Sequence, residues 1–195
     1  MRFEGIYTPI ITPFKDSGEI DWDLYAEVID WQIENGVAGI IVGGSTGEFY
    51  ALSKEELIQQ FKFAADRINN QVEFMAGVND IRVDECLEIS SAAVDAGAKS
   101  LLVAAPPYSL PSEEELASHV LEIANKTGLP IMLYNYPGRT GVEMGEVFLD
   151  IVADNWDVLV LDDYNQKEYG VKMAADEVRI NYENYERGRF LLIKK

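Results

Sequence analysis

The sequence predicts an α/β fold in which parallel strands alternate with helices, and three observations lead to it. Apolar, β-branched runs centred near residues 41, 76, 103, 132 and 160 recur at roughly 30 residues, the length of one βα unit. Between them lie stretches of helical periodicity that open on serine or aspartate and close on glycine or asparagine. The strands are apolar throughout, as strands covered by helices on both faces should be.

Gly5 to Ile11 reads as the first strand and runs into the turn Thr12-Pro13-Phe14. Asp21 is placed to cap a helix from Trp22 to about Glu34, with Leu24, Val28 and Trp31, joined by Ile29, as its apolar stripe. Asn35-Gly36 stops that helix, and Gly39 to Val42 is the second strand. It ends in Gly43-Gly44-Ser45-Thr46-Gly47-Glu48. Ser53 with Glu56 forms a capping box for a helix whose inner face is Leu57, Phe61, Ala64 and Ile68. Phe74 to Val78 is the third strand, Val83 to Ala96 a helix closed by Gly97, and Ser100 to Ala105 a strand ending in Pro106-Pro107-Tyr108. Ser112 with Glu115 is a second capping box, for a helix ending near Lys126-Thr127-Gly128. Pro130 to Tyr134 is the fifth strand, Glu146 to Ala153 a short helix, and Val158 to Leu161 a sixth strand.

An open doubly wound sheet and a closed (β/α)8 barrel both fit this alternation. The barrel is favoured because polar motifs end at least three strands, and no glycine-rich dinucleotide fingerprint follows the first one. About six βα units are present where a full barrel needs eight, so the reading is an incomplete barrel of the TIM type. The domain boundary is placed at residue 162, with 1–162 as a partial barrel and 163–195 as a divergent tail. The net charge of −18 resides wholly in the first part, while the tail is close to neutral. In the tail, Tyr164 to Asp176 has room for a helix, and Phe190 to Ile193 for a last strand.

Composition excludes several functions. An apolar fraction of 48% fits a globular protein, and no run approaches the ~18 apolar residues that span a bilayer. The strong negative charge disfavours nucleic acid and anionic membrane as partners. A single cysteine, Cys86, fits a reducing cytoplasm, and with only His119 beside it in the chain it argues against a His/Cys metal site.

Two stretches carry chemistry. The 43–48 loop offers backbone N–H groups and two hydroxyls at a strand end, an arrangement suited to a carboxylate, and it lacks the Gly-Lys-Ser/Thr of a nucleotide loop. An ordinary glycine-rich turn would look the same. Tyr134 closes the fifth strand, where a phenol held against Thr46 is able to relay protons, although an interfacial tyrosine is the commoner role. Arg139 follows in Tyr136-Pro137-Gly138-Arg139-Thr140-Gly141, suited to a substrate carboxylate or to anchoring a loop. Tyr108 suits a subunit contact. His119 receives no role, and the acidic start Glu113-Glu114-Glu115 needs none beyond opposing the helix dipole.

Taken together, Thr8-Pro9, Thr12-Pro13-Phe14, the 43–48 loop, Pro106-Pro107-Tyr108 and 134–141 resemble the dihydrodipicolinate synthase / N-acetylneuraminate lyase family over roughly residues 3–155. The resemblance implies a (β/α)8 barrel assembled as a homo-oligomer. It implies a class I aldolase, lyase or hydro-lyase acting on pyruvate or another 2-keto acid, with neither metal nor organic cofactor. By position, Ser45, Thr46 and Gly47 would hold the keto-acid carboxylate. Tyr134 would shuttle protons with Thr46, Tyr108 would complete the relay in a neighbouring subunit, and Arg139 would lie by the outer end of the substrate.

The family carries a Schiff-base lysine on the sixth strand, and here that register falls on Asp162. A carboxylate forms no imine, so impaired catalysis is expected, with Lys167 and Lys172 as the nearest amines. The alternatives are a non-catalytic 2-keto-acid-binding module and a structural chimera or truncated fragment of a barrel.

Overall fold

The computed structural model describes residues 5–161, 171–173 and 189–194, with side chains as far as Asn155. The architecture is α/β, with strands and helices alternating as in a TIM-type barrel. The chain divides into two compact units, one of Glu4–Val78 with Glu88–Leu101, the other built on Asn79–Leu87 and the chain from Leu102 onward.

The first unit opens with β1 (Tyr7–Pro9), α1 (Trp22–Glu34), β2 (Gly39–Val42), α2 (Lys54–Ile68) and β3 (Glu73–Gly77). Its strands are parallel, with Tyr7 opposite Gly39 and Gly39 opposite Glu73. All four residues of β2 are buried, so both faces of the strand are covered. α1 starts where Asp21 accepts a hydrogen bond from the Leu24 N–H at 3.1 Å, as the cap predicted. Its inner face differs from the sequence reading. Ile29 is buried as expected, but its buried companion is Tyr25, whereas Leu24 and Trp31 are 44% and 60% exposed. Trp22, Tyr25, Ile29 and Ile33 form a second apolar row at helical spacing, and the aromatic packing of α1 on α2 selects that row: Trp22 packs tilted and Tyr25 stacked on Phe63, with ring centroids 4.9 and 5.9 Å away. Asp30 on α1 pairs with Arg67 on α2, which holds the Asp30 carboxyl below its usual range, chiefly through the hydrogen bond. α2 opens on the expected capping box: the Ser53 N–H donates to Glu56 at 2.8 Å and the Glu56 N–H to Ser53 at 3.2 Å. It buries Leu57, Phe61, Ala64 and Ile68, and with them Gln60.

α3 (Val83–Ala96) and β4 (Ser100–Ala104) each begin in one unit and end in the other. The second unit continues with α4 (Glu113–Thr127), β5 (Ile131–Tyr134), the short α5 (Pro137–Thr140), α6 (Glu146–Asn155), β6 (Trp156–Leu161), β7 (Val171–Met173) and β8 (Arg189–Lys194). α4 carries the second capping box, between Ser112 and Glu115, and ends at Gly128 in the left-handed region. It buries Leu116, Val120 and Ile123.

The sheet departs from the all-parallel expectation here. β8 lies between β5 and β6, antiparallel to both, with Leu191 opposite Met132 on one side and opposite Leu159 on the other. The continuous run Phe190, Leu191, Leu192 and Ile193 supplies an apolar strand, and a strand of that kind pairs with whichever open edge it meets. β7 pairs antiparallel with β6, placing Lys172 opposite Leu159. Val171–Met173 is therefore strand where the sequence suggested helix across 164–176. Asp162 and Lys167 lie outside the described residues.

Candidate active site

The loop after β2 is shaped by glycines that nothing larger replaces. Gly43 has φ +75°, and a Cβ on it would lie 2.6 Å from a Leu57 methyl group. A Cβ on Gly77 would lie 2.3 Å from the Gly43 carbonyl oxygen. The loop therefore folds back directly on the end of β3, at a separation only bare backbone allows. Ser45–Gly47 is a single 3₁₀ turn, in which the Gly47 N–H donates to the Gly44 carbonyl at 3.0 Å. The Glu48 N–H donates to the Ser45 carbonyl at 3.2 Å, with Glu48 at φ 56°. These bonds consume the N–H groups of Gly47 and Glu48 and leave those of Ser45 and Thr46 unused by the turn. The side chains of Ser45 and Thr46 are exposed and Gly47 is buried. Two adjacent exposed residues thus offer hydroxyls and N–H groups unused by the turn at a strand end, an arrangement suited to a carboxylate or another small anion.

Behind the turn stands a buried polar chain the sequence reading missed. Thr12 Oγ1 donates to the Gly47 carbonyl at 2.7 Å, and Gln60 Nε2 donates to Thr12 Oγ1 at 3.0 Å. Gln60 is fully buried, and its Oε1 has no partner among the described residues, at a cost of about 1–3 kcal/mol. The only sequence signal was a glutamine on the inner stripe of α2.

In the second unit, β5 delivers Tyr134 half-buried at its end, with the Tyr136 ring 5.8 Å away. Pro137 starts a one-turn helix that closes on Gly141 at φ +75°, and Arg139 on that turn is exposed. Asn135, buried, accepts a hydrogen bond from the Met144 N–H at 3.1 Å and so ties together the two ends of the loop. Asn79 accepts from the N–H of Ala104, the last residue of β4, at 2.7 Å. Tyr108 is 92% exposed with φ 71°. Tyr134 and Arg139 therefore share one strand end, while Ser45, Thr46 and Gly47 share one turn. His119, half-buried on α4, is held below its usual pKa by burial, partly opposed by Glu122. Among the described residues no group of three His, Cys, Asp or Glu side chains is placed to hold a metal, and no helix is long and apolar enough to cross a membrane.

The sequence matches the model of the Dihydrodipicolinate synthetase family over residues 2–183. The chain belongs to that family. It is 39% identical over 154 residues to the 4-hydroxy-tetrahydrodipicolinate synthase of Methanocaldococcus jannaschii, covering 79% of this chain and 53% of that protein. The corresponding enzyme of Bacillus subtilis is 34% identical over 155 residues, with the same coverage of 79% and 53%. Among solved structures, a dihydrodipicolinate synthase superposes with a TM-score of 0.74 at 39% identity, over 78% of this chain and 52% of that one. A prophage protein of the dihydrodipicolinic acid synthase family from E. coli K12, solved in complex with pyruvate, gives a TM-score of 0.74 at 35% identity over 78% and 51%. The chain spans about half the length of the curated relatives it matches.

Proposed function

We propose that this chain carries the 2-keto-acid site of a Schiff-base lyase, with pyruvate or a close relative as ligand. The observation that carries the reading is the Ser45–Gly47 turn, which presents the N–H and hydroxyl groups of Ser45 and Thr46 at the end of β2 in a member of this family. Its likeness to a protein solved with pyruvate supports the choice of ligand. Ser45 and Thr46 hold the carboxylate, and Gly47 lets the turn approach β1 closely. Tyr134 carries protons to and from the substrate in concert with Thr46, Tyr108 extends that relay from a second copy of the chain, and Arg139 receives the outer polar end of the substrate.

In the reaction of such a lyase, a lysine amine attacks the keto carbon, water leaves, and the protonated imine accepts the electron pair of the bond that breaks. Asp162 stands in the register of that lysine and has no nitrogen to give. We therefore read the chain as a keto-acid binder with impaired lyase chemistry, whose partners are a small 2-keto acid and further copies of itself. Residues 163–195 are read as divergent from the family in sequence, although Val171–Met173 and Arg189–Lys194 pair into the same sheet as β5 and β6. The lone cysteine, Cys86, favours a reducing cytoplasm.

Incubation with pyruvate and borohydride, followed by intact-mass analysis, tests the chemistry, because reduction freezes an imine as a covalent adduct. The expected result is no adduct, together with a saturable calorimetric signal for pyruvate that Thr46→Val removes. An adduct on Lys167 or Lys172 overturns the impairment. Absence of any pyruvate signal overturns the binding site.

A further inference from the structure

We infer that Gln60 and Thr12 are positioning residues that hold the Ser45–Gly47 turn in its anion-binding shape. The inference rests on the carboxylate reading of that turn and extends it to two residues that do not touch the ligand.

The hydrogen count fixes the direction of the chain. The Thr12 hydroxyl has one hydrogen, and the Gly47 carbonyl, 2.7 Å away, is able only to accept. That hydrogen is therefore committed to Gly47, and Thr12 Oγ1 accepts from its other neighbour. Gln60, 3.0 Å away, must present its amide nitrogen, which leaves Oε1 facing the interior unpartnered. Reversing the amide would satisfy neither group. The arrangement runs one way, from Gln60 to Thr12 to Gly47.

Packing alone does not call for this glutamine. Its neighbours on the inner face of α2 are Leu57, Phe61, Ala64 and Ile68, and a leucine or methionine there would leave no orphaned oxygen. The glutamine instead terminates on the turn. The Gly47 carbonyl and the Glu48 N–H belong to one peptide plane, so a hydrogen bond on the oxygen sets the plane that closes the turn onto Ser45. The turn is also pressed onto the exit of β1: a Cβ on Gly47 would lie 3.0 Å from the Ile10 carbonyl oxygen and 3.4 Å from Thr12 Oγ1. Two sides of the turn are thus held, one by contact with backbone and one by the hydrogen-bond chain. Ser45 and Thr46 are exposed, with N–H groups that the turn's own hydrogen bonds leave unused.

The test combines amide hydrogen exchange at Glu48 with pyruvate calorimetry on the full chain. Gln60→Leu and Thr12→Val are each expected to speed exchange at Glu48 roughly tenfold and to weaken pyruvate binding by about the same factor, the loss set by one buried hydrogen bond. Amides of α4 should be unaffected, and Thr12→Ser should restore both readings. Gln60→Glu adds a readout that packing does not supply. Its neutral carboxyl donates to Thr12 as the amide does, whereas its ionised form accepts from Thr12 and draws the hydroxyl hydrogen away from Gly47. In that variant the protection of Glu48 relative to wild type should fall reversibly as pH rises. Exchange at Glu48 that stays at the wild-type rate in Gln60→Leu, or a Gln60→Glu profile parallel to wild type, overturns the inference while leaving pyruvate binding standing. Accelerated exchange in the variants, in a protein that shows no pyruvate signal, upholds the positioning chain and removes the carboxylate reading instead.

Discussion

Glu113 Oε2 accepts a hydrogen bond from the Phe148 N–H at 2.9 Å, so the first residue of α4 caps the first turn of α6. Gly145 makes the approach possible, since a Cβ there would lie 2.6 Å from the same oxygen. Glu113→Ala is expected to cost about 1 kcal/mol in urea unfolding, the usual value of a lost cap. Gly145→Ala should cost a similar amount, by displacing the carboxylate. The double variant should cost much less than the two together, because both remove one interaction. Strict additivity would show that the cap does not bind the helices.

Gly77→Ala places a methyl group 2.3 Å from the Gly43 carbonyl oxygen, and two stretches of backbone cannot yield as a flexible side chain would. Overpacking of this kind costs roughly 1–3 kcal/mol. Since the displaced backbone is the loop leading into Ser45 and Thr46, the pyruvate affinity proposed for that loop should fall with stability. A variant with wild-type unfolding and wild-type calorimetry would contradict the close approach.

His119 predicts a pH dependence. Burial favours the neutral imidazole in the folded chain, and its pKa lies below the ordinary 6.5. The unfolded chain therefore takes up this proton first as pH falls, so stability is intact above about 6.5 and declines below it until the folded value is passed. His119→Gln should flatten this part of the urea midpoint profile between about pH 7 and about pH 5, above the range where carboxylates titrate. An identical slope in the variant would assign the dependence to other groups.

Cys86 is fully buried, which pushes its thiol up to about 12, and its Sγ lies 3.5 Å from the Asp80 carbonyl oxygen. Only about one molecule in 10⁴ carries the thiolate at about pH 8. A disulfide-exchange reagent should leave the native protein unlabelled for hours and react stoichiometrically in urea. Rapid labelling without denaturant would mean that α3 opens locally.

The local features of the fold were legible in the sequence because their causes are local. Asp21, Ser53 with Glu56, and Ser112 with Glu115 cap the helices they were expected to cap, each through a residue three positions away. Gly39–Val42 and Ile131–Tyr134 are strands because β-branched or apolar runs bounded by turn residues have few other choices. The glycines of 43–47 announced a shaped loop, and the family motif suggested the chemistry proposed for it. The face of α1 was misjudged except at Ile29, since Leu24–Val28–Trp31 and Trp22–Tyr25–Ile29 are both apolar rows on one helix, and periodicity does not say which of them α2 covers.

By itself the sequence determined the βα alternation, the helix caps and the family, and it singled out the residues proposed to bind a keto acid. Tertiary structure decided what links residues far apart in the chain. Glu113 reads as one member of an acidic helix start and becomes the cap of a helix 35 residues away. Thr12 and Gln60, 48 residues apart, become one chain behind the turn. β8 enters between β5 and β6 where parallel order was expected. Caps and turns follow from steric and hydrogen-bonding preferences acting over a few residues. A buried amide, a shared carboxylate or an open strand edge finds its partner only when packing brings distant segments together.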